Sequence, residues 1–275
     1  MIKTISHQIV SSFKVYLDYM LLDKLQAYVN KTTNLYPYTD PSYPNKAIYG
    51  SPYAQWVYNG SASGVVVPSG VSGGGFLARG QSGLVIDYKN GRIILNSGVS
   101  DTFTANISVS EVNTYVSTLP DDKLLAQTNF SIIPDLKPAN TYLPPRQLVL
   151  PAIFIRLISK DNEPAMFGGG EWTDFNLRLS CIMTDNTKLL AVEDMLADLE
   201  RRIVPLLDSS VLNAYNDLSD PSWDYASILE NTTSYFDIQD IKMRFIENDE
   251  FTQKNNSLHV GIVNIKCRML RFPRQ

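Results

Sequence analysis

The chain has 275 residues, of which 44% are apolar and 19% charged, and its net charge is −4 at neutral pH. That composition excludes a largely disordered chain, and the negative balance gives no ground for a nucleic-acid-binding function. The length suffices for one large domain or two modest ones.

Residues 2–29 read as a helix. Ile2, Ile5, Ile9, Phe13, Leu17, Met20, Leu21, Leu25 and Tyr28 recur at steps of three and four, while Lys3, Gln8, Lys14, Asp18 and Asp23 fall elsewhere on the wheel. Lys3, His7, Gln8, Ser11, Ser12 and Lys14 break any secretory apolar core. No apolar run approaches the ~18 residues that span a bilayer. The expectation is synthesis in the cytoplasm and no membrane partner.

Residues 31–60 change character. Pro37, Pro41, Pro44 and Pro52 forbid a long helix, and Tyr36, Tyr38, Tyr43, Tyr49, Tyr53, Trp56 and Tyr58 crowd the same stretch. This reads as an aromatic arm or long loop, either reaching a neighbouring subunit or wrapped on its own domain. Residues 61–118 are rich in Gly and Ser with short strand patterns. Leu84–Leu95 carries Asn90-Gly91, the dipeptide of a type I′ hairpin turn. Phe103, Ala105, Ile107 and Val109 alternate in the next strand. Residues 119–149 form a proline-marked connector.

The C-terminal part has the clearest periodicity. Strands are expected at 150–159 (Ile153, Ile155 and Leu157 on one face) and 173–184 (Phe175, Leu177, Leu179, Cys181 and Met183), turned through Gly168-Gly169-Gly170. A helix at 188–204, N-capped by Thr187, is ended by Pro205. Two strands follow at 238–246 and 258–270, with Ile241, Met243 and Phe245, then Val263, Ile265, Cys267 and Met269, inward. The expected fold class is α+β: an antiparallel sheet of about four strands packed on two helices, with an inserted β-rich subdomain. In domain terms, 1–30 is a helix packing on the core, 31–149 the inserted arm and subdomain, and 150–275 the core.

The residues offer little chemistry. His7 and His259 are the only histidines, and neither has a ligand set for zinc or a partner for acid–base work. Cys181 and Cys267 lack CxxC spacing and read as buried thiols. The Gly-rich stretch 72–80 lacks the Gly-Lys-Ser/Thr ending of a phosphate loop. Asp87, Asp101, Glu111, Glu163, Glu171 and Asp174 supply carboxylates for a glycosidase, yet nothing in the sequence pairs any two of them. The expectation is no enzyme, no catalytic residue, no metal and no cofactor.

One pattern asks for a partner. Opposite the apolar strand positions stand Arg156, Arg178, Lys242, Arg244, Lys266 and Arg268, with Asp240 the only acid in that register of the last two strands. An ordinary solvated face mixes both signs. A basic face in an acidic chain suits an acidic neighbouring surface or passing DNA. This face and the aromatic arm are the expected partner interfaces, because Tyr and Arg are the residue types interfaces favour.

The pattern resembles the tail terminator, or tail-completion, proteins of tailed bacteriophages. The likeness rests on the N-terminal helix 2–29, the strand Leu150–Leu157, the turn Gly168–Glu171, the strand Phe175–Met183, the helix Leu189–Val204 and the final strand Leu258–Leu270. The resemblance implies a virion protein of the neck and tail junction, a homohexameric ring that caps the tail tube. Its partners would be other copies of itself, the tail tube protein, a neck or connector protein and the sheath protein, with DNA only as passing cargo. The long middle region departs from a minimal terminator. It leaves open a neck or head-completion connector, and a carbohydrate-binding host-recognition protein.

Overall fold

The computed structural model describes residues 4–96, 102–120, 150–166, 169–208, 225–245 and 258–272. The chain divides into two compact units. The first joins the N-terminal helix to residues 112–126 and 150–275, and the second runs from Ala27 to Glu111 with residues 127–149. The segments 97–101, 121–149, 209–224, 246–257 and 273–275, which include the expected proline-marked connector, lie outside the described residues.

Helix α1 spans Ile5–Asp23 in the first unit. The Thr4 hydroxyl accepts from the His7 N–H at 3.3 Å, which fixes its start. Its stripe of Ile9, Phe13, Leu17 and Leu21 is fully buried. Lys14 is buried too, held by Asp18 at 2.8 Å, one turn away. The expected helix to residue 29 ends earlier because Gln26 takes a φ of +48° and the β-prone Tyr28 and Val29 pair with Ser110 and Val109.

Six strands make the sheet of this unit: β8 (Asn113–Val116), β9 (Ala152–Met166), β10 (Gly170–Met183), β11 (Ile203–Pro205), β12 (Tyr235–Phe245) and β13 (His259–Arg271), in the order β11-β12-β13-β10-β9-β8. β8 pairs with β9 in parallel, and the other pairings are antiparallel. Helix α2 covers Asn186–Ala197, and a short helix, α3, covers Tyr225–Asn231. Asp185, not Thr187, caps α2, accepting from the Thr187 N–H at 2.8 Å. The expected continuation of α2 to 204 is replaced by β11, after Arg201 turns the chain with a φ of +62°. α1 packs against β8, β9 and β11, and α2 against β10, β12 and β13. Cys181 and Cys267 are free, buried thiols, and burial pushes the Cys181 thiol up to about 12.

The second unit is a seven-stranded sheet. Its strands are β1 (Tyr28–Tyr38), β2 (Lys46–Gly50), β3 (Gly70–Ser72), β4 (Phe76–Ala78), β5 (Val85–Asp87), β6 (Arg92–Asn96) and β7 (Phe103–Ser110), in the order β4-β3-β7-β1-β2-β6-β5. β1 pairs with β7 over its first half and passes to β2 at Tyr36. Leu35, Trp56, Val71, Leu84, Ile93, Leu95, Phe103 and Ile107 fill its core.

The expected α+β architecture, about four strands on two helices, is thereby overturned. Among the described residues the protein is mostly β, with two curled sheets of seven and six strands. The shortfall has a physical source. β3, β4, β5 and β11 are three residues each, too short to show a period. β1 hides behind prolines that end strands or sit in turns. Residues 113–116, read as part of the insertion, join the sheet of the first unit as β8.

β5 and β6 form the expected hairpin, but the turn is not type I′. Asp87 pairs with Arg92, so four residues make the loop, and Gly91 carries the positive φ of +62°. A Cβ on Gly91 would stand 1.8 Å from the carbonyl oxygen of Tyr53. Gly91→Ala is therefore expected to destabilise the protein by about 2 kcal/mol or more, combining positive-φ strain with backbone displacement. Urea unfolding measures it, and an unchanged midpoint refutes this reading of the turn.

Candidate partner interface

The sheet of the first unit has two unlike faces. Paired residues on neighbouring strands point to the same side, so the registers assign each face. On one side Ile155, Leu179 and Val263 stand in one row and Leu177 and Ile265 in the next, all buried. The six bases stand on the other side.

Arg156 is directly opposite Arg178, Arg178 opposite Asn264, and Asn264 opposite Lys242, which makes one row across four strands. Nε of Arg178 donates to Oδ1 of Asn264 at 2.8 Å, and Nη1 of Arg156 donates to the Leu119 carbonyl at 2.7 Å. Arg244 lies one row away, opposite Ile262. Lys242 and Arg244 are exposed, while Arg156 and Arg178 are half-buried. Like charges directly opposite on paired strands repel, and Arg156 and Arg178 are such a pair across β9 and β10.

The remaining two bases belong to a different environment. Lys266 stands between Asn176 and Asp240. Arg268 stands between Asp174 and Asp237, and its Nε and Nη2 donate to both oxygens of Asp174, at 2.5 and 2.6 Å. This fork holds the Asp174 carboxyl below the usual carboxylate range, although partial burial opposes it. The guanidinium also lies 5.6 Å from the centroid of the Trp172 ring. Arg268 is a clamp between β10 and β13, not a free contact.

The expectation of Asp240 as the lone acid on the last two strands is corrected. β12 carries a bulge between Ile238 and Asp240, so Gln239 has no opposite number. The extra residue reverses the parity of everything before it. Asp237, which strict alternation sends under the helices, faces the bases instead. The basic character is thus concentrated at Arg156, Arg178 and Arg244, while Lys242 lies 3.1 Å from Asp240 and the Arg268 end is of mixed sign.

The aromatic arm is not an arm. Tyr49 and Trp56 are buried in the core of the second unit. Tyr49 meets Phe103 edge-on at 4.8 Å, and Nε1 of Trp56 donates to the Tyr53 carbonyl at 2.9 Å and to the Ser51 hydroxyl at 3.1 Å. Tyr43 lies under the guanidinium of Arg92, and Tyr53 lies under the Lys31 ammonium, each at 5.3 Å. Tyr36 and Tyr58 are half-buried, and the side chain of Tyr38 lies outside the described residues. Burial in this core claims Tyr49 and Trp56, so these two are withdrawn as partner contacts.

The other sequence candidates are likewise committed to structure. Asp87 receives Nε of Arg92 at 2.7 Å, and Glu171 lies 3.5 Å from Arg271. Asp101 lies outside the described residues. The Gly-rich stretch forms the β3–β4 hairpin, closed by the Gly73 N–H donating to the Gly75 carbonyl at 2.7 Å. Comparison of the sequence with protein-family models and with curated proteins finds no match.

Proposed function

We propose that this chain is a structural subunit of the head–tail joint of a tailed bacteriophage, forming a terminator ring that caps the tail tube and joins it to the neck. The observation that carries this reading is the row Arg156–Arg178–Asn264–Lys242. A sheet face that presents two arginines directly opposite each other suits an acidic covering surface. The order of α1, β9, β10, α2 and β13 along the first unit is also the order on which the resemblance to terminators rests.

The mechanism is edge capping. One surface of the ring mates with the last ring of the tube, while the other surface offers no site for a further tube subunit. The charged face supplies long-range attraction and orientation, and the apolar rows under the helices keep the mating surface rigid. DNA passes through as cargo and is not read.

The test is the mass of the purified full chain by light scattering, alone and with tube protein. A ring of about six subunits, or a complex that stops tube growth, supports the proposal. A stable monomer that binds sugar and leaves tube length unaltered overturns it.

A further inference from the structure

A cavity of about 310 Å³ opens in the first unit where the start of α1 meets the end of β8 and the middle of β9. It is lined by the polar residues Ser6, His7, Ser117, Thr118 and Arg156 and by the apolar residues Val10, Val116 and Leu157. No carboxylate is among these lining residues. Both imidazole nitrogens of His7 are buried, and neither has a hydrogen-bond partner. In any protonation state the ring carries at least one N–H, and a buried donor left unpaired is costly. His7 is thus a residue of the cavity lining whose two ring nitrogens are unpaired among the described residues. The first turn of the 19-residue helix α1 adds its positive end, and only the His7 amide there is taken up by the Thr4 cap.

We infer that this cavity binds a small oxyanion of the phosphate or carboxylate type. A guanidinium, three hydroxyls and an imidazole in one lining match the lone pairs of such a group, and the fork of Arg156 suits its geometry. The volume exceeds what one water needs and falls at the small end of ligand pockets. Nothing covalent is involved.

The inference goes beyond the assembly reading. It is tested on the isolated full chain, while that reading is judged by ring mass and tube length, so either can fail alone. The experiment is titration with inorganic phosphate and, separately, with acetate, at constant ionic strength, followed by thermal unfolding and by NMR of the His7 ring. A saturable response to either anion is expected. It should weaken about tenfold or more in Arg156→Met and in His7→Phe, since each removes a hydrogen-bond donor to a charged group. Ser117→Ala, a smaller change, should weaken it less and guards against misfolding of the other two. Response to phosphate alone assigns the site to phosphate groups, and response to acetate alone assigns it to carboxylates. Absence of a response to both, or one that all three variants retain in full, overturns the inference.

Discussion

Replacing Arg92 by methionine is expected to lower the stability of the protein by about 3 kcal/mol, the cost of breaking a buried ion pair from one side. Arg92 opens β6 with its side chain only 5% exposed. Nε bonds to Asp87 and Nη1 to Asp40, both at 2.7 Å, so the guanidinium ties the turn after β1 to the β5–β6 hairpin. Methionine replaces the packing of the stem and leaves two carboxylates without their cation. Arg92→Lys should recover part of the loss, because an ammonium keeps the charge but cannot fork. Acid dependence gives a second readout. The Ser42 backbone N–H and then the Arg92 guanidinium hold the Asp40 carboxyl below its ordinary value. A depressed folded value means that the contribution is present at neutral pH and is lost as pH falls through that value. The wild type should therefore lose stability in acid, and Arg92→Met should show a shallower acid limb. Equal midpoints, or identical acid limbs, in urea titrations would contradict the clamp.

The second large effect is on assembly. Arg178→Glu, Lys242→Glu and Arg244→Glu combined should leave circular dichroism unchanged and lower the yield of joined tails more than about a hundredfold. Each reversal both removes an attraction and adds a repulsion at a charged interface. Arg268 is left out because it holds Asp174, and its replacement would report on the sheet. A salt series should show the wild-type joining rate falling as ionic strength rises. If triple-variant tails join at the normal rate, the face is an ordinary solvated surface.

Much of the first unit is legible in sequence, because β10 and β13 are long and bury one face, whereas in β12 Phe245, expected inward, is 43% exposed. The odd-numbered positions of β10 from Phe175 to Met183 and the positions Val263, Ile265, Cys267 and Met269 of β13 are buried as alternation requires. What failed there was local. The bulge at Gln239 has no side-chain signature, so Asp237, opposite Arg268, could not be placed. In the second unit the reading failed more broadly. Pro37 signals a loop in sequence, yet it lies near the end of β1, whose residues from Tyr28 to Leu35 pair with β7. Tyr49 and Trp56, expected as partner contacts, are core rings, since an amphipathic ring suits either setting and only packing decides. Lys14 was assigned to the wet side of α1, but its ammonium reaches Asp18 within the buried helix. His7 was dismissed as a ligand for want of neighbours in sequence, and its neighbours in the cavity come from β8 and β9.

The lengths of β9 and β10 carry a consequence of their own. At 15 residues β9 runs about 50 Å, while α1, at 19 residues, reaches no more than about 28 Å. The helix cannot shelter the whole strand, and residues 161–164 stand exposed at its far end. Among the described residues β8 pairs with the stretch from Ala152 to Ile155, and no described strand lies beside β9 on that border beyond it. Asp161, Glu163 and Pro164 occupy that border, the residue types that deny an incoming strand its hydrogen bonds and its charge match. The hairpin end is thereby fenced against zipping onto another chain. A molecule that meets it must do so flat against the side chains, where orientation can be chosen, and not along the backbone, where any extended peptide would do.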